Sequence, residues 1–340
     1  MAKWITVLRP VMKETFIDAP PGGGSCAPSP SELARWLLSA PLRLEPDWPE
    51  PSPPLKVGSG AVHGDLTADD AESFSRLREA WPHIGVGAPT ADALAAEAQR
   101  WRLPVTPYRT RAEAQPIIAR WPALVPPPPA SADSPMIPPS VIDLSTHWAG
   151  PLATALLERC GAEVTKIDPD CRPDGFRSRP GMYSHLNGTK RVLDLDLRQP
   201  EHRRRFEDLL TTGDLLVESF SARVLPNLGY NDQQLRRINP RLRRLSIRAF
   251  PQFSEAADWI AYGPGVHAAI GLAEPPPSAN ASFRFRPSPI AYPDVIAGAA
   301  AAAFALEAKG HTTISLWAAV APLTKAIHQG ETSENGANPS

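Results

Sequence analysis

VIDLSTHWAGPLATALLERCGAEVTKIDP, Val141–Pro169, decides the fold. Val141–Leu144 is a short, mostly apolar run of the kind a buried strand uses. Gly150 and Pro151 follow, and proline suits the first turn of a helix, where its missing N–H would have no internal partner. Gly161 ends the helical stretch, and AEVTKID returns as a second strand. Strand, helix and strand in succession form a βαβ unit, whose strands pair in parallel across the helical crossover.

The same alternation continues downstream. VLDLDL, Val192–Leu197, alternates with period two, Pro200–Thr212 is a polar helix, and LLVES, Leu215–Ser219, is a buried strand. Two short helices come next. The second, NDQQLRRIN, starts at Asn231, whose side-chain oxygen can accept from an exposed first-turn amide. LRRLSIRAF, Leu242–Phe250, returns as a strand. The expected class is therefore α/β, a Rossmann-like parallel sheet covered by helices, occupying residues 141–328. Residues 1–121 form a smaller helical or α+β amino-terminal domain. It contains a helix over Ala91–Arg102 and an extended run over Arg102–Thr110, where each proline pushes its predecessor out of helical geometry. Residues 122–140, rich in the chain's 41 prolines, form a linker, and residues 329–340 a polar tail.

Composition narrows the function. The 35 Lys and Arg against 36 Asp and Glu leave a net charge of −1, without the basic excess that a phosphate-backbone binder uses, so nucleic acid is not the expected partner. Cys26, Cys160 and Cys171 have no CxxC spacing and are odd in number, which speaks against a disulfide framework or a zinc site and for a reducing, cytoplasmic setting. The amino terminus lacks the apolar stretch of a signal peptide. The Ala-rich run Ile296–Leu306 falls short of the roughly 20 residues that cross a bilayer and reads as a packed core helix; no membrane partner is expected. Asp168, at the end of the second strand, stands where a dinucleotide's ribose would be bound. Yet Ser145–Pro151 offers only Gly150, and a dinucleotide fingerprint needs several glycines for the backbone to approach the pyrophosphate.

Four segments stand in order: Val141–Pro169; NGTKRVLDLDLRQPEHRRRFEDLL, Asn187–Leu210; GDLLVESFSARVLPNLGYNDQQLRRINPRL, Gly213–Leu242; and TTISLW, Thr312–Trp317. Together they resemble the class III CoA-transferases, the family of formyl-CoA and carnitine CoA-transferases and α-methylacyl-CoA racemase. The resemblance implies coenzyme A or an acyl-CoA as substrate, a carboxylic acid as acceptor, and no metal. It places Thr146, His147 and Ala149 along the pantetheine and adenine path with Ser219 and Phe220 beside them. Arg172, Lys190 and Arg223 are the basic candidates for the phosphates.

Family members attack the thioester with an aspartate that precedes a small-residue helix. Here Asp294 precedes Val295–Ala308, with Gly298 near its start. A carboxylate at a helix amino terminus is stabilised by exposed amides and stays ionised for attack; the same geometry also describes an ordinary helix cap. The resemblance places Tyr262 where the related racemases have a histidine, and His267, five residues on, would point to another face, which disfavours two-base racemisation. The glycine-rich lid of the family is matched only by Gly22–Gly24. RLPVTPYRTRAEAQ, Arg102–Gln115, resembles the family's return segment but precedes the CoA-binding half, as in a rearranged or truncated chain. The resemblance implies a homodimer. A catalytically weak CoA-binding or scaffold subunit, pairing as a heteromer with a full-length homologue, is the alternative.

Overall fold

The computed structural model describes residues 55–57, 60–64, 68–84, 90–121, 124, 138–273, 291–307 and 310–324. Gly22–Gly24, most of the segment 122–140 and the tail 329–340 lie outside the described residues. The first elements are β1 (Leu55–Val57), β2 (Gly60–Gly64), α1 (Ala68–Ile84), α2 (Ala91–Arg100), β3 (Val105–Pro107) and α3 (Arg111–Arg120). Then come β4 (Ser140–Asp143), α4 (Ala149–Arg159), β5 (Glu163–Ile167), a 3-10 turn (Gly175–Ser178), α5 (Pro180–Asn187), β6 (Arg191–Leu193), α6 (Pro200–Thr212) and β7 (Leu215–Glu218). The last are α7 (Val224–Asn227), α8 (Asp232–Ile238), β8 (Arg243–Arg248), α9 (Gly263–Ala269), α10 (Tyr292–Glu307) and β9 (His311–Ser315).

Among the described residues the chain forms two compact units. One holds 138–247, 295–307 and 310–314; the other holds the described part of 55–124 with 248–273, 291–294 and 315–324. Where the sequence reading expects domains in succession, the units interleave, because residues after β8 bond to the amino-terminal segment. Gln99 Nε2 donates to the Val105 and Ile260 carbonyls at 2.9 and 2.7 Å, and the Ile260 N–H donates back to Gln99 Oε1 at 2.7 Å. The Thr106 hydroxyl donates to the Gly265 carbonyl at 3.0 Å. In this unit β1, β2 and β3 form an antiparallel sheet, and Val62, Val105, Phe74, Leu77 and Leu94 make its core. The helix expected over Ala91–Arg102 stops at Arg100, and Arg102 turns to φ 61°.

The other unit carries the six-stranded sheet, in the order β6-β5-β4-β7-β8-β9. β4 pairs in parallel with β5 on one side and β7 on the other, β5 with β6, and β7 with β8. The chain builds outward from β4 through β5 to β6, then returns to lay β7 on β4's opposite side. Ile142 and Leu216 of the sheet, with Leu144 just past β4, pack with Phe206, Leu210 and Leu235 of the covering helices and with Tyr230 between α7 and α8. Burying each such side chain contributes about 1.5–3 kcal/mol against leaving it exposed. Asn231 Oδ1 accepts the Gln234 N–H at 2.9 Å, capping α8 as its sequence predicts.

Two expectations are corrected. The strand over Val192–Leu197 is only three residues long, Arg191–Leu193, and lies at the sheet edge, because its partner β5 ends at Ile167, opposite Leu193. Leu195 and Leu197 keep the alternation by burying their side chains beyond the strand. The helix expected to start at Val295 begins at Tyr292, Pro293 being admissible in a first turn, so Asp294 lies inside that turn rather than before it. Among the described residues no helix is long and apolar enough to cross a membrane.

Candidate functional site

The strand order reverses between β4 and β7, and in open α/β sheets such a switch point opens a crevice beyond the carboxyl ends of the strands. The turn after β4, Ser145–Trp148, and the turn after β7, starting at Ser219, meet there: the Thr146 N–H donates to the Ser219 hydroxyl at 3.0 Å. Two candidates from separate segments are thus joined directly. α4 starts at Ala149 with no side-chain cap. Gly150 is required by space, since a Cβ there would fall 2.1 Å from Ser145 Cβ.

A buried ionic network holds the first turn. Asp143, fully buried at the end of β4, accepts from the Ser145 N–H at 2.8 Å, from the Ser145 hydroxyl, and from the Thr154 hydroxyl at 2.6 Å. Its other partner is Lys190 Nζ at 3.1 Å. Burial opposes ionisation of Asp143, but Lys190, Lys166 and the two hydroxyls outweigh it and hold the carboxyl below the usual carboxylate range. Lys190 is pushed down to about 8 by burial, with Asp143 pulling the other way.

His147 has φ 64°, a left-handed conformation uncommon outside glycine. Its N–H donates to Asp174 Oδ1 at 3.1 Å, its Nδ1 lies 3.1 Å from the Thr146 hydroxyl, and its ring meets Phe176 edge-on. Asp174 is buried and paired with buried Lys166 at 3.1 Å, while Lys166 Nζ donates to the Ser145 carbonyl at 2.8 Å. One layer further, Asp168 accepts from the Asp174 N–H at 2.9 Å, Arg177 Nε at 2.8 Å and the Tyr183 hydroxyl at 2.6 Å. Burial raises the Asp168 pKa, but the bonds from Tyr183, Arg177 and Asp174 lower it more. The residue considered for a ribose therefore organises the protein's own backbone.

The remaining candidates divide by exposure. Ala149 is buried, and its carbonyl would lie 2.7 Å from any Cβ placed on Gly298 of α10. Phe220 is half-buried against the core, its N–H donating to Glu218 Oε2 at 2.9 Å. Arg172 and Arg223 are exposed. Lys190, one of the basic candidates for the phosphates, has its ammonium buried, and it donates to Asp143, the Pro151 carbonyl at 2.9 Å, Thr154 at 2.7 Å and Asn187 at 3.0 Å. An ammonium with three protons and four oxygen neighbours has none to give a ligand. A groove of about 770 Å³ beyond β5 and β6 is lined by Asp170, Asp194, Asp196 and Glu201 with His202 and Arg204; four carboxylates make it unsuited to phosphates.

In the other unit, Asp294 is 9% exposed, and its N–H donates to the Ala291 carbonyl at 3.0 Å. Its carboxylate lies against Gly263, the first residue of α9. His267 is buried and pushed down to about 4, chiefly by burial and also by His63.

The network of Asp143, Lys166, Asp174 and Arg177, and the glycine beside Asp294, are absent from the sequence-based site. The one available signal is an ionisable residue inside an apolar strand: Asp143 in VIDLS and Lys166 in AEVTKID. Such groups are buried only with partners, but neither partner can be named from spacing.

A sequence profile of CoA-transferase family III matches residues 139–329. An acetyl-CoA:oxalate CoA-transferase of Acetobacter aceti is 32% identical over 139 residues, 39% of this chain and 36% of that protein. A succinyl-CoA:mesaconate CoA-transferase of Haloarcula hispanica is 36% identical over 32% of this chain and 31% of its own length. A formyl-CoA:oxalate CoA-transferase of Escherichia coli is 30% identical over 39% and 34%. The matched part thus spans about a third of the length of these curated relatives. Among solved structures, a hypothetical protein of Mycobacterium tuberculosis superposes with a TM-score of 0.50 at 21% identity over 61% of this chain and 60% of that one. A CAIB/BAIF family protein of Brucella suis does so with 0.50 at 21% over 59% and 58%. At that identity the likeness concerns the fold.

Proposed function

Since this chain belongs to CoA-transferase family III, we propose that it transfers CoA from an acyl-CoA to a carboxylic acid, with Asp294 as nucleophile. The observation that carries the reading is the extent of the family match: residues 139–329 include both turns of the switch-point crevice and Asp294. The cofactor is read as lying along Thr146, His147 and Ala149, with Ser219 and Phe220 beside it and Arg172 or Arg223 reaching its phosphates. The uncapped amino terminus of α4 favours negative charge at the same place. Three relatives are named for oxalate or mesaconate, so dicarboxylates are the first acceptors to try.

In the proposed reaction the Asp294 carboxylate adds to the thioester carbonyl and expels CoA thiolate, leaving an acyl-aspartyl anhydride. The acceptor carboxylate adds to the aspartyl carbonyl and releases the donor acid, giving a second anhydride. Thiolate then attacks the acceptor's acyl carbon, which forms the new thioester and restores Asp294. A homodimer in a reducing cytoplasm belongs to the same reading, supported by the family and by the unpaired Cys160 and Cys171.

The experiment is incubation with acetyl-, succinyl- or formyl-CoA and hydroxylamine, followed by peptide mass spectrometry, in the native protein and in Asp294→Asn. A hydroxamate at Asp294, with transfer lost in the variant, is expected. Full transfer by Asp294→Asn overturns the nucleophile. Micromolar CoA binding with no modification for any donor favours the second reading, a CoA-binding subunit, which the limited span of the matches to full-length relatives keeps in view.

A further inference from the structure

We infer that Gly263 is a positioning residue for the reaction, its missing side chain being what lets the Asp294 carboxylate occupy its place. The inference rests on the reading of Asp294 as nucleophile. A Cβ on Gly263 would fall 1.8 Å from Asp294 Oδ2 and 2.9 Å from Asp294 Cγ, with Ala291 Cβ at 2.8 Å. Real Cβ atoms do not approach so closely. Glycine here is not serving backbone geometry: Gly263 is not among the residues with positive φ, and Tyr262 before it is extended at φ −102° and ψ 179°. Pro264 fits the first turn of α9, so the helix start is already specified without glycine. What remains is space, and the atom that comes closest to filling it is a carboxylate oxygen, with Ala291 Cβ next.

The same geometry decides what would give way. The Asp294 backbone is anchored by its bond to the Ala291 carbonyl and by the helix it begins. Its carboxyl group sits at the end of two rotatable bonds. The closest contact of a methyl group at 263 is therefore relieved by turning the Asp294 side chain out of its position, while the 2.8 Å contact with Ala291 Cβ has to be met by a small backbone shift. A glycine needed only for packing would instead lower stability without selecting against turnover.

The test is Gly263→Ala in the full chain, assayed for transfer between acetyl-, succinyl- or formyl-CoA and oxalate or mesaconate. Misplacing a reacting group by about 1 Å can cost about 100-fold in rate, so kcat is expected to fall about 100-fold with the KM for acyl-CoA changed less than about 3-fold. In Gly263→Ala/Asp294→Asn the loss should be no greater than in Asp294→Asn alone, because both act through one group. Should the melting temperature of Gly263→Ala collapse, Ala291→Gly in the same chain removes the 2.8 Å contact and leaves only the clash with the carboxylate. Native turnover in a folded Gly263→Ala protein, or loss of kcat and acyl-CoA binding together, overturns the inference while leaving the nucleophile intact. Native turnover in Asp294→Asn overturns both.

Discussion

The Thr146 N–H and the Ser219 hydroxyl, 73 residues apart in sequence, lie 3.0 Å apart and tie the turn after β4 to the turn after β7. The bond crosses the place where the sheet reverses its strand order, so the two walls of the crevice are set by a shared contact.

Replacing Ser219 with alanine removes the acceptor and leaves the Thr146 amide to find another. The bond is worth about 1 kcal/mol, which predicts an approximately 5-fold weaker affinity for CoA. Isothermal titration of Ser219→Ala with CoA measures it; unchanged affinity would show that the tie has no part in binding.

Lys190 and Asp143 are fully buried and paired at 3.1 Å. Lys190→Met leaves a carboxylate buried without its nearest cation, which predicts a loss of about 3–5 kcal/mol in urea unfolding. Asp143→Asn/Lys190→Met should recover part of the loss, since the orphaned charge is gone. Equal stability of Lys190→Met and the native protein would contradict the network.

Gly150→Ala places a methyl group on Ser145 Cβ, an atom fixed to the backbone of the crevice turn rather than the tip of a flexible chain. Overpacking of this kind costs about 1–3 kcal/mol or more. Lower thermal stability accompanied by weakened CoA binding is expected, and a melting temperature equal to the native one counts against the geometry.

His267 carries the pH prediction. Burial and His63 push it down to about 4 from 6.5, so between those values the unfolded chain binds a proton that the folded chain refuses. Stability rises with pH wherever the unfolded state binds more protons; the contribution is complete above pH 6.5 and is lost as pH falls toward 4. The shift corresponds to on the order of 3 kcal/mol. Chemical denaturation from pH 7 to pH 4 should show a steep decline that flattens in His267→Gln, and identical slopes in the two proteins would remove His267 as its source.

Much of the parallel sheet is legible in the chain. Pro200–Thr212, Leu215–Glu218 and the Asn231 cap follow from proline placement, apolar runs and a side chain that can reach an amide. The strand at Val192–Leu197 is longer in sequence than in the structure because alternation reports which side chains are buried, whereas a strand needs a neighbouring backbone, and β5 ends at Ile167. Lys190 stands just before β6 much as an exposed cation would, and only folding reveals the four oxygens around it. The carboxylate of Asp294 is likewise visible in sequence as a helix-start acid, while the glycine that gives it room lies 31 positions earlier.

The sequence alone determined the βαβ opening, the α/β class and the segments that carry the family, because these depend on the periodicity and turn chemistry of neighbouring residues. Tertiary structure decided the interleaving of the two units, the partners of Lys166 and Lys190, the left-handed turn at His147 and the contact of Gly263 with Asp294. Those features join positions distant in the chain, and local propensity contains no term for a neighbour that arrives only when the chain closes on itself.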